Sequence, residues 1–246
     1  MPTLTFRFYQ ELNDFLPRPL KQRSFARQFA VLGSIKDAIE SLGVPHTEVD
    51  LILVNGESVN FGFHPDDGDR ISVYPLFEAL DISSVTRLRP HPLRESRFVL
   101  DCHLGRLARY LRMLGFDSLF YGECSDARLV EISVQEQRIL LTRDLELLKR
   151  KALTHAYYVR TTRPLNQVTE VVKRLQLQNS FQPFSRCTVC NGQLAKVAKE
   201  EVWSEVPANS RHAFSEFARC TRCGRIYWKG SHFERMQRLV KKLKAV

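Results

Sequence analysis

Residues 3–9, TLTFRFY, alternate apolar Leu4, Phe6 and Phe8 with polar neighbours, which predicts a half-buried strand. A second strand is expected over 26–31, followed by a helix over 34–43 in which Ser34 caps, Asp37 is the first-turn acid and Gly43 stops the turn. Apolar residues 51–54 then form a strand closed by Asn55-Gly56, a hairpin dipeptide, and the turn 66–69, DDGD, leads to a last strand at 70–74. This order is that of a small single-sheet α+β unit. Residues 81–96 are polar, carry Pro90 and Pro92, lack periodicity and read as a linker. The pattern then changes. Residues 97–101, RFVLD, form a strand ending in a carboxylate. In 103–115, Leu104, Leu107, Ala108, Leu111 and Leu114 make one helical stripe, with Arg106, Arg109 and Arg112 off it. Strands are expected at 118–121, 138–142 (RILLT) and 156–159. Helices are expected after Asp126, from Asp144 through Lys151, and over 165–175. Strands alternating with helices predict βαβ units around a parallel sheet. Beyond residue 181 come two cysteine pairs and a basic helix over 233–243. The expected division is therefore 1–80, a linker 81–96, 97–180 and 181–246.

The apolar runs are too short to span a membrane, and the N-terminus lacks a secretory pattern. A cytoplasmic protein is expected, in which six cysteines signify metal or free thiols rather than disulfides. Charge sharpens the division. The net +10 is divided unevenly: residues 1–89 hold 9 basic and 12 acidic residues, whereas 90–246 hold 28 and 15. Only the latter part attracts polyanions.

Cys187-Thr188-Val189-Cys190 and Cys220-Thr221-Arg222-Cys223 are the most specific signal. Two residues between cysteines let both thiolates face one ion, and Gly224 follows the second pair as a knuckle prefers. Four thiolates suit a closed, structural Zn²⁺ site; iron, redox CxxC motifs and disulfides are the competing readings. Cys102 and Cys124 read as small buried apolar residues. A second constellation is Asp101, Asp126 and Asp144, each at a strand-to-helix junction. Strand C-termini of a parallel sheet share one edge, where gathered carboxylates would hold Mg²⁺ or Mn²⁺ for phosphodiester hydrolysis. Aspartate is equally a favoured helix cap, so capping without catalysis stands beside this reading.

The runs FVLDCHLGRLARYLRMLGFDSLFY, SDARLVEISVQEQRILLTRDLELL and CGRIYWKGSHFERM closely resemble the Mutator-seven C-terminal RNase family, PIN-like nuclease modules with an appended zinc ribbon. VNGESV with DDGDRISVYP resembles the ubiquitin-like β-grasp domains that often precede that module. A Gly-Gly tail, needed for sulfur transfer, is absent after Tyr74-Pro75-Leu76-Phe77, which leaves docking to an unidentified protein partner or regulation as the role of this domain. The resemblance implies a mixed α+β and α/β architecture: β-grasp, PIN-like parallel sheet, then zinc ribbon. It also places Asp101, Asp126 and Asp144 at the acidic positions, with Glu123 and Glu146 as weaker candidates for a fourth.

Arg106, Arg109, Arg112 and Arg143 flank this edge and are candidate phosphate binders, although the helix arginines would equally form a solvated face. In the ribbon, Arg219, Arg222, Arg225 and Lys229 interleave with Tyr227 and Trp228, a pattern suited to backbone contact and base stacking, or, for the aromatics, to closing a small core. The expected function is a metal-dependent ribonuclease acting on RNA. The alternative is a non-catalytic RNA-binding adaptor associated with tRNA or the ribosome. Charge places RNA on residues 90–246, so removing 1–89 is expected to leave binding intact.

Overall fold

In the computed structural model, residues 1–75, 86–88 and 96–246 are described. The chain forms two compact units. The first contains residues 1–94 together with 133–137 and 142–158, and the second contains 95–132, 138–141 and 159–246.

The N-terminal sheet is built from β1 (Thr3–Phe8), β2 (Phe25–Gln28), β3 (Val49–Val54), β4 (Glu57–Ser58) and β5 (Arg70–Pro75), in the order β2-β1-β5-β3-β4. β1 and β5 are parallel, and the remaining pairs are antiparallel. Leu4, Phe6 and Phe8 are buried, as their alternation requires, and pack with Ile35 and Ile39 of α1 (Ile35–Ser41). Ser34 closes a capping box with Asp37, whose carboxyl is held below its ordinary pKa chiefly by the Ser34 hydroxyl. At the hairpin, Asn55 and Gly56 both take positive φ, 51° and 94°. β2 ends three residues before the expected limit, and Val31 is exposed. Of the expected linker, residues 86–88 are described and dock on this domain: the Thr86 hydroxyl donates to the Asp50 carbonyl at 2.6 Å, and Leu88 joins the core. The rest of 81–96, apart from 96, lies outside the described residues.

The first unit has a second half. Residues His46–Glu48 form a single 3₁₀ turn, all three side chains buried, that grips main-chain atoms of residues 148–158. His46 Nε2 donates to the Leu153 carbonyl (2.9 Å) while its Nδ1 lies 2.6 Å from Glu40 Oε1. The Thr47 hydroxyl donates to the Leu148 carbonyl (3.4 Å), and Glu48 Oε1 accepts from the Tyr158 amide (2.6 Å). Phe15 meets the Tyr158 ring edge-on. The β-grasp domain therefore has a partner within its own chain, and removing 1–89 would strip acceptors and donors from 148–158. A point substitution is the cleaner probe. Glu48→Ala is expected to destabilise the unit by about 1–3 kcal/mol, because it leaves the Tyr158 amide without this acceptor. Hydrogen exchange should accelerate across 142–158; unchanged exchange there would show that the docking carries no stability.

The parallel sheet follows: β6 (Phe98–Leu100), α2 (Gly105–Met113), β7 (Ser118–Leu119), α3 (Asp126–Gln135), β8 (Ile139–Thr142), α4 (Leu145–Leu148), β9 (Ala156–Tyr158) and α5 (Pro164–Arg174). Strand order is β7-β6-β8-β9, with β6 parallel to both β7 and β8. Leu104, Leu107, Ala108, Leu111 and Leu114 are wholly buried, confirming the stripe, and α2 packs against α5. Helix α4 stops at Leu148 rather than Lys151.

The segment expected to be a separate ribbon, 181–246, shares the second unit with 97–132. It contains β10 (Leu194–Val197), α6 (Ala208–Ala213), β11 (Phe217–Cys220), β12 (Ile226–Trp228) and α7 (Ser231–Lys244). Strands β10-β11-β12 form an antiparallel sheet. Val202, Val206 and Phe217 make a small core beneath it.

Candidate metal centre and acidic edge

The two CxxC turns bring four sulfurs together, all within 4.8 Å of one another. Cys187 Sγ lies 3.7 Å from Cys223 Sγ, and Cys190 Sγ lies 3.4 Å from Cys220 Sγ. A tetrahedral ion with metal–sulfur bonds of about 2.3 Å needs sulfurs about 3.8 Å apart, so the quartet is sized to hold one. Backbone geometry explains why. Asn191 and Gly224 take φ of 70° and 73° just after each pair, and the amides of Cys190, Arg222 and Cys223 point at sulfur. A Cβ on Gly192 would lie 2.8 Å from Cys220 Sγ and 2.7 Å from Arg222 Cβ, so no side chain fits there.

Cys187 and Cys190 respond to the crowding in opposite directions. Burial pushes the Cys187 thiol up, but the Tyr227 hydroxyl at 3.0 Å and nearby amides outweigh it and bring it to about 6. Burial, followed by the neighbouring cysteines, pushes Cys190 up to about 12, and Tyr227 rises likewise to about 12. Sulfur charges crowded together oppose further ionisation; a divalent cation removes that opposition.

Arg112 is a correction to the sequence reading. It is 4% exposed, not a free phosphate ligand. Its Nε donates to the Ser118 carbonyl (2.8 Å) and its Nη1 to the carbonyls of Val189 (2.7 Å) and Thr188 (3.3 Å), inside the first knuckle. Burial lowers its pKa, and the charges of Cys187 and Cys190 act in the opposite direction. Arg112 is thus a cation placed beside the sulfur cluster. Gly115 takes φ 99° where α2 ends, and a Cβ there would lie 2.2 Å from the Gln182 carbonyl, so the knuckle segment can pass against the helix end.

Asp117 completes the attachment. Its Oδ1 accepts from Arg138 Nη1 (2.7 Å) and Asn191 Nδ2 (2.8 Å), while Asn191 Oδ1 accepts from the Ser118 amide (3.0 Å). Burial raises the Asp117 pKa, but the Arg138 and Asn191 hydrogen bonds and the Arg138 and Arg186 charges leave it below 3.8. None of these residues carries a motif, and sequence reasoning missed them. Asp117→Ala is expected to cost about 2–4 kcal/mol at pH 7 by stranding Arg138 and Asn191. A depressed carboxyl contributes stability above its unfolded pKa and loses it as pH falls through the folded value. The difference from the parent should therefore stay constant from pH 7 to pH 5 in urea titrations; a decay over that range contradicts the ionised pair.

The candidate catalytic residues are placed individually as follows. Asp101 directly follows β6, is 5% exposed, and caps the next turn by accepting from the His103 amide (2.8 Å). Asp144 lies two residues beyond β8 and is exposed; its Oδ1 caps α4, accepting from Glu146 N (2.8 Å) and Leu147 N (3.4 Å). Asp126 is the first residue of α3, while Ser125 Oγ accepts from the Arg128 amide; the cap expected of Asp126 belongs to Ser125. Among the described residues, the cysteine quartet is the one group of three or more Cys, His, Asp or Glu side chains positioned to share an ion, so the aspartates do not form one. Glu146 is exposed and paired with Lys149; Glu123, Arg106 and Arg109 are exposed, and Arg143 is half-buried. Glu170 accepts from the amides of Arg160 and Thr161, beyond the end of β9.

The ribbon residues expected on RNA are largely engaged within the protein. Tyr227 serves Cys187, Trp228 packs on Phe217, Lys229 pairs with Glu216 (2.6 Å), and Arg222 donates to the Cys190 carbonyl. Arg225 is exposed. Cys102 is exposed and Cys124 half-exposed, contrary to their expected burial.

A family model described as the Mut7-C RNAse domain matches residues 96–240, and one described as Mut7-C ubiquitin matches residues 1–81. Among solved structures, the crystal structure of H. volcanii small archaeal modifier protein 1 is similar at 14% identity and a TM-score of 0.26, covering 31% of this chain and 100% of that one. No curated protein matches. Among the described residues, no helix is long and apolar enough to cross a membrane.

Proposed function

The chain belongs to the Mut7-C RNAse domain family, and from that membership we propose that it is a divalent-metal-dependent ribonuclease whose acidic edge comprises Asp101, Asp126 and Asp144. The observation that carries the reading is strand register. β6 and β8 are parallel neighbours, with Leu100 opposite Leu141, and Asp101 and Asp144 follow them at the C-terminal ends where parallel sheets place their chemistry. These carboxylates are the hard oxygen donors that suit Mg²⁺ or Mn²⁺; without the ion the three do not meet at one point, so a bound cation would have to draw them together, and it would supply Lewis-acid activation of water and charge compensation at phosphorus. The two hydrogen bonds capping α4 go to Asp144 Oδ1 and do not involve its Oδ2. Arg106, Arg109 and Arg143 would hold the phosphate against this edge and offset charge developing on its oxygens.

The cysteine quartet would hold Zn²⁺ in a structural role, because four sulfurs leave no position for water. It fixes the knuckle that Arg112, Arg186 and Asn191 tie to residues 115–118.

The competing reading is the RNA-binding adaptor, favoured by the capping roles of Asp101 and Asp144. The test is purified, zinc-loaded protein with end-labelled single-stranded RNA in Mn²⁺ or Mg²⁺, alongside Asp144→Asn. Cleavage that requires the added metal and disappears in the variant supports the ribonuclease. Salt-sensitive binding without cleavage supports the adaptor.

A further inference from the structure

Helix α7 carries Arg235, Arg238, Lys241, Lys242 and Lys244 against one acid, Glu234. All five cations are exposed, and among the described residues no ion pair or hydrogen bond engages them. The apolar face of the helix is committed to packing: the Phe233 ring lies 4.6 Å from that of Phe184, Val240 and Leu243 are buried, and Met236 and Leu239 are half-buried. Gln178 Nε2 donates to the carbonyl of Val246, just beyond the helix.

The lysines of the last turn have a local rationale, since cations are favoured at a helix C-terminus. Arg235 and Arg238 have none. They stand in the middle of the helix, away from its last turn and three residues apart, where like charges repel. Arg235, Arg238 and Lys242 occupy one stripe at i, i+3 and i+7, spanning about 10 Å at 1.5 Å per residue. That span equals about three phosphate-to-phosphate steps of a stacked strand, each about 3.4 Å along its axis.

We propose that the exposed face of α7 is the surface that grips the phosphodiester backbone of single-stranded RNA, through Arg235, Arg238 and Lys242, without reading bases. The inference rests on RNA being the substrate and moves the grip away from β11 and β12, where Tyr227 serves Cys187, Trp228 packs on Phe217 and Arg219 pairs with Glu205. An anionic membrane is the other polyanion a basic amphipathic helix meets, but it requires a free apolar face; here that face is occupied by packing, with Val240 and Leu243 buried and Phe233 against Phe184.

The test uses the full zinc-loaded chain and a variant combining Arg235→Gln, Arg238→Gln and Lys242→Gln. Fluorescence anisotropy follows binding of a 20-nucleotide oligouridylate between 50 and 200 mM KCl, without added Mg²⁺ or Mn²⁺. Three lost phosphate contacts should make the slope of log K against log salt shallower by about 2 and weaken binding at 50 mM by about 10²-fold. An unchanged slope overturns the assignment. So does binding of the parent to phosphatidylserine vesicles but not to the oligonucleotide. Metal-dependent cleavage by a parent whose RNA affinity is unaffected by the triple substitution leaves the ribonuclease standing and removes only α7 from it. A parent that neither binds nor cleaves RNA overturns both.

Discussion

Replacing Asp144 by Asn is expected to lower metal-dependent RNA cleavage by about 10²-fold or more while leaving the fold close to its original stability. Asn ranks with Asp as an N-cap, and its Oδ1 can still accept from the Glu146 and Leu147 amides, so the start of α4 is preserved. What disappears is the negative charge. A neutral amide is a poor ligand for a hard divalent cation, and each tenfold loss of rate corresponds to about 1.4 kcal/mol of transition-state stabilisation. Asp144→Ala is the informative companion, because it removes charge and cap together and should cost about 1 kcal/mol of stability in addition. Initial rates at saturating Mn²⁺ and thermal midpoints of the three proteins separate the effects. If Asn retains full cleavage while Ala only destabilises, Asp144 is a cap and nothing more.

Stripping the metal from the cysteine quartet is expected to unfold β10, β11 and β12. Structural zinc typically contributes about 10 kcal/mol or more of binding free energy that is also folding free energy, more than a small core of Val202, Val206 and Phe217 can replace. Cys220→Ser should have the same direction, because Cys220 is buried and its sulfur accepts from two amides. pH sets the ease of removal. With Cys187 near 6 and Cys190 near 12 in the metal-free chain, loading the site must displace thiol protons, and acid therefore drives metal off. A zinc chelator should unfold the ribbon at a lower concentration at pH 6 than at pH 8, followed by metal content and hydrogen exchange of residues 185–229. An exchange pattern unaffected by complete metal loss would sink the structural role.

Where local pattern was sufficient, the sequence was read correctly. Alternation placed β1, the stripe of five apolar residues placed α2, and Ser34 with Asp37 placed α1, because each depends on neighbours within about a turn or a strand. Both cysteine pairs were legible for the same reason: each pair is fixed by its own tight turn, and one ion needs both. Arg112 shows where this reading fails. Its position off the apolar stripe suggested solvent, yet it is buried because carbonyls 76 and 77 residues away accept its hydrogen bonds. Trp228 and Tyr227 resemble a stacking platform in sequence; their neighbours Phe217 and Cys187 come from other strands and turns.

By itself, the sequence determined the composition of the parts: a β-grasp module, a βαβ sheet with aspartates at its junctions, four cysteines in two close pairs, and a basic excess confined to residues 90–246. The tertiary structure alone decided which charges remain available. It committed Arg112 to the carbonyls of the first knuckle, paired Asp117 with Arg138, gave the Glu48 carboxylate to the Tyr158 amide, and left the cations of α7 in solvent. The physical reason is range. Helix, strand and knuckle patterns are set by contacts a few residues apart, whereas a charge is buried or exposed according to partners that only folding brings to it.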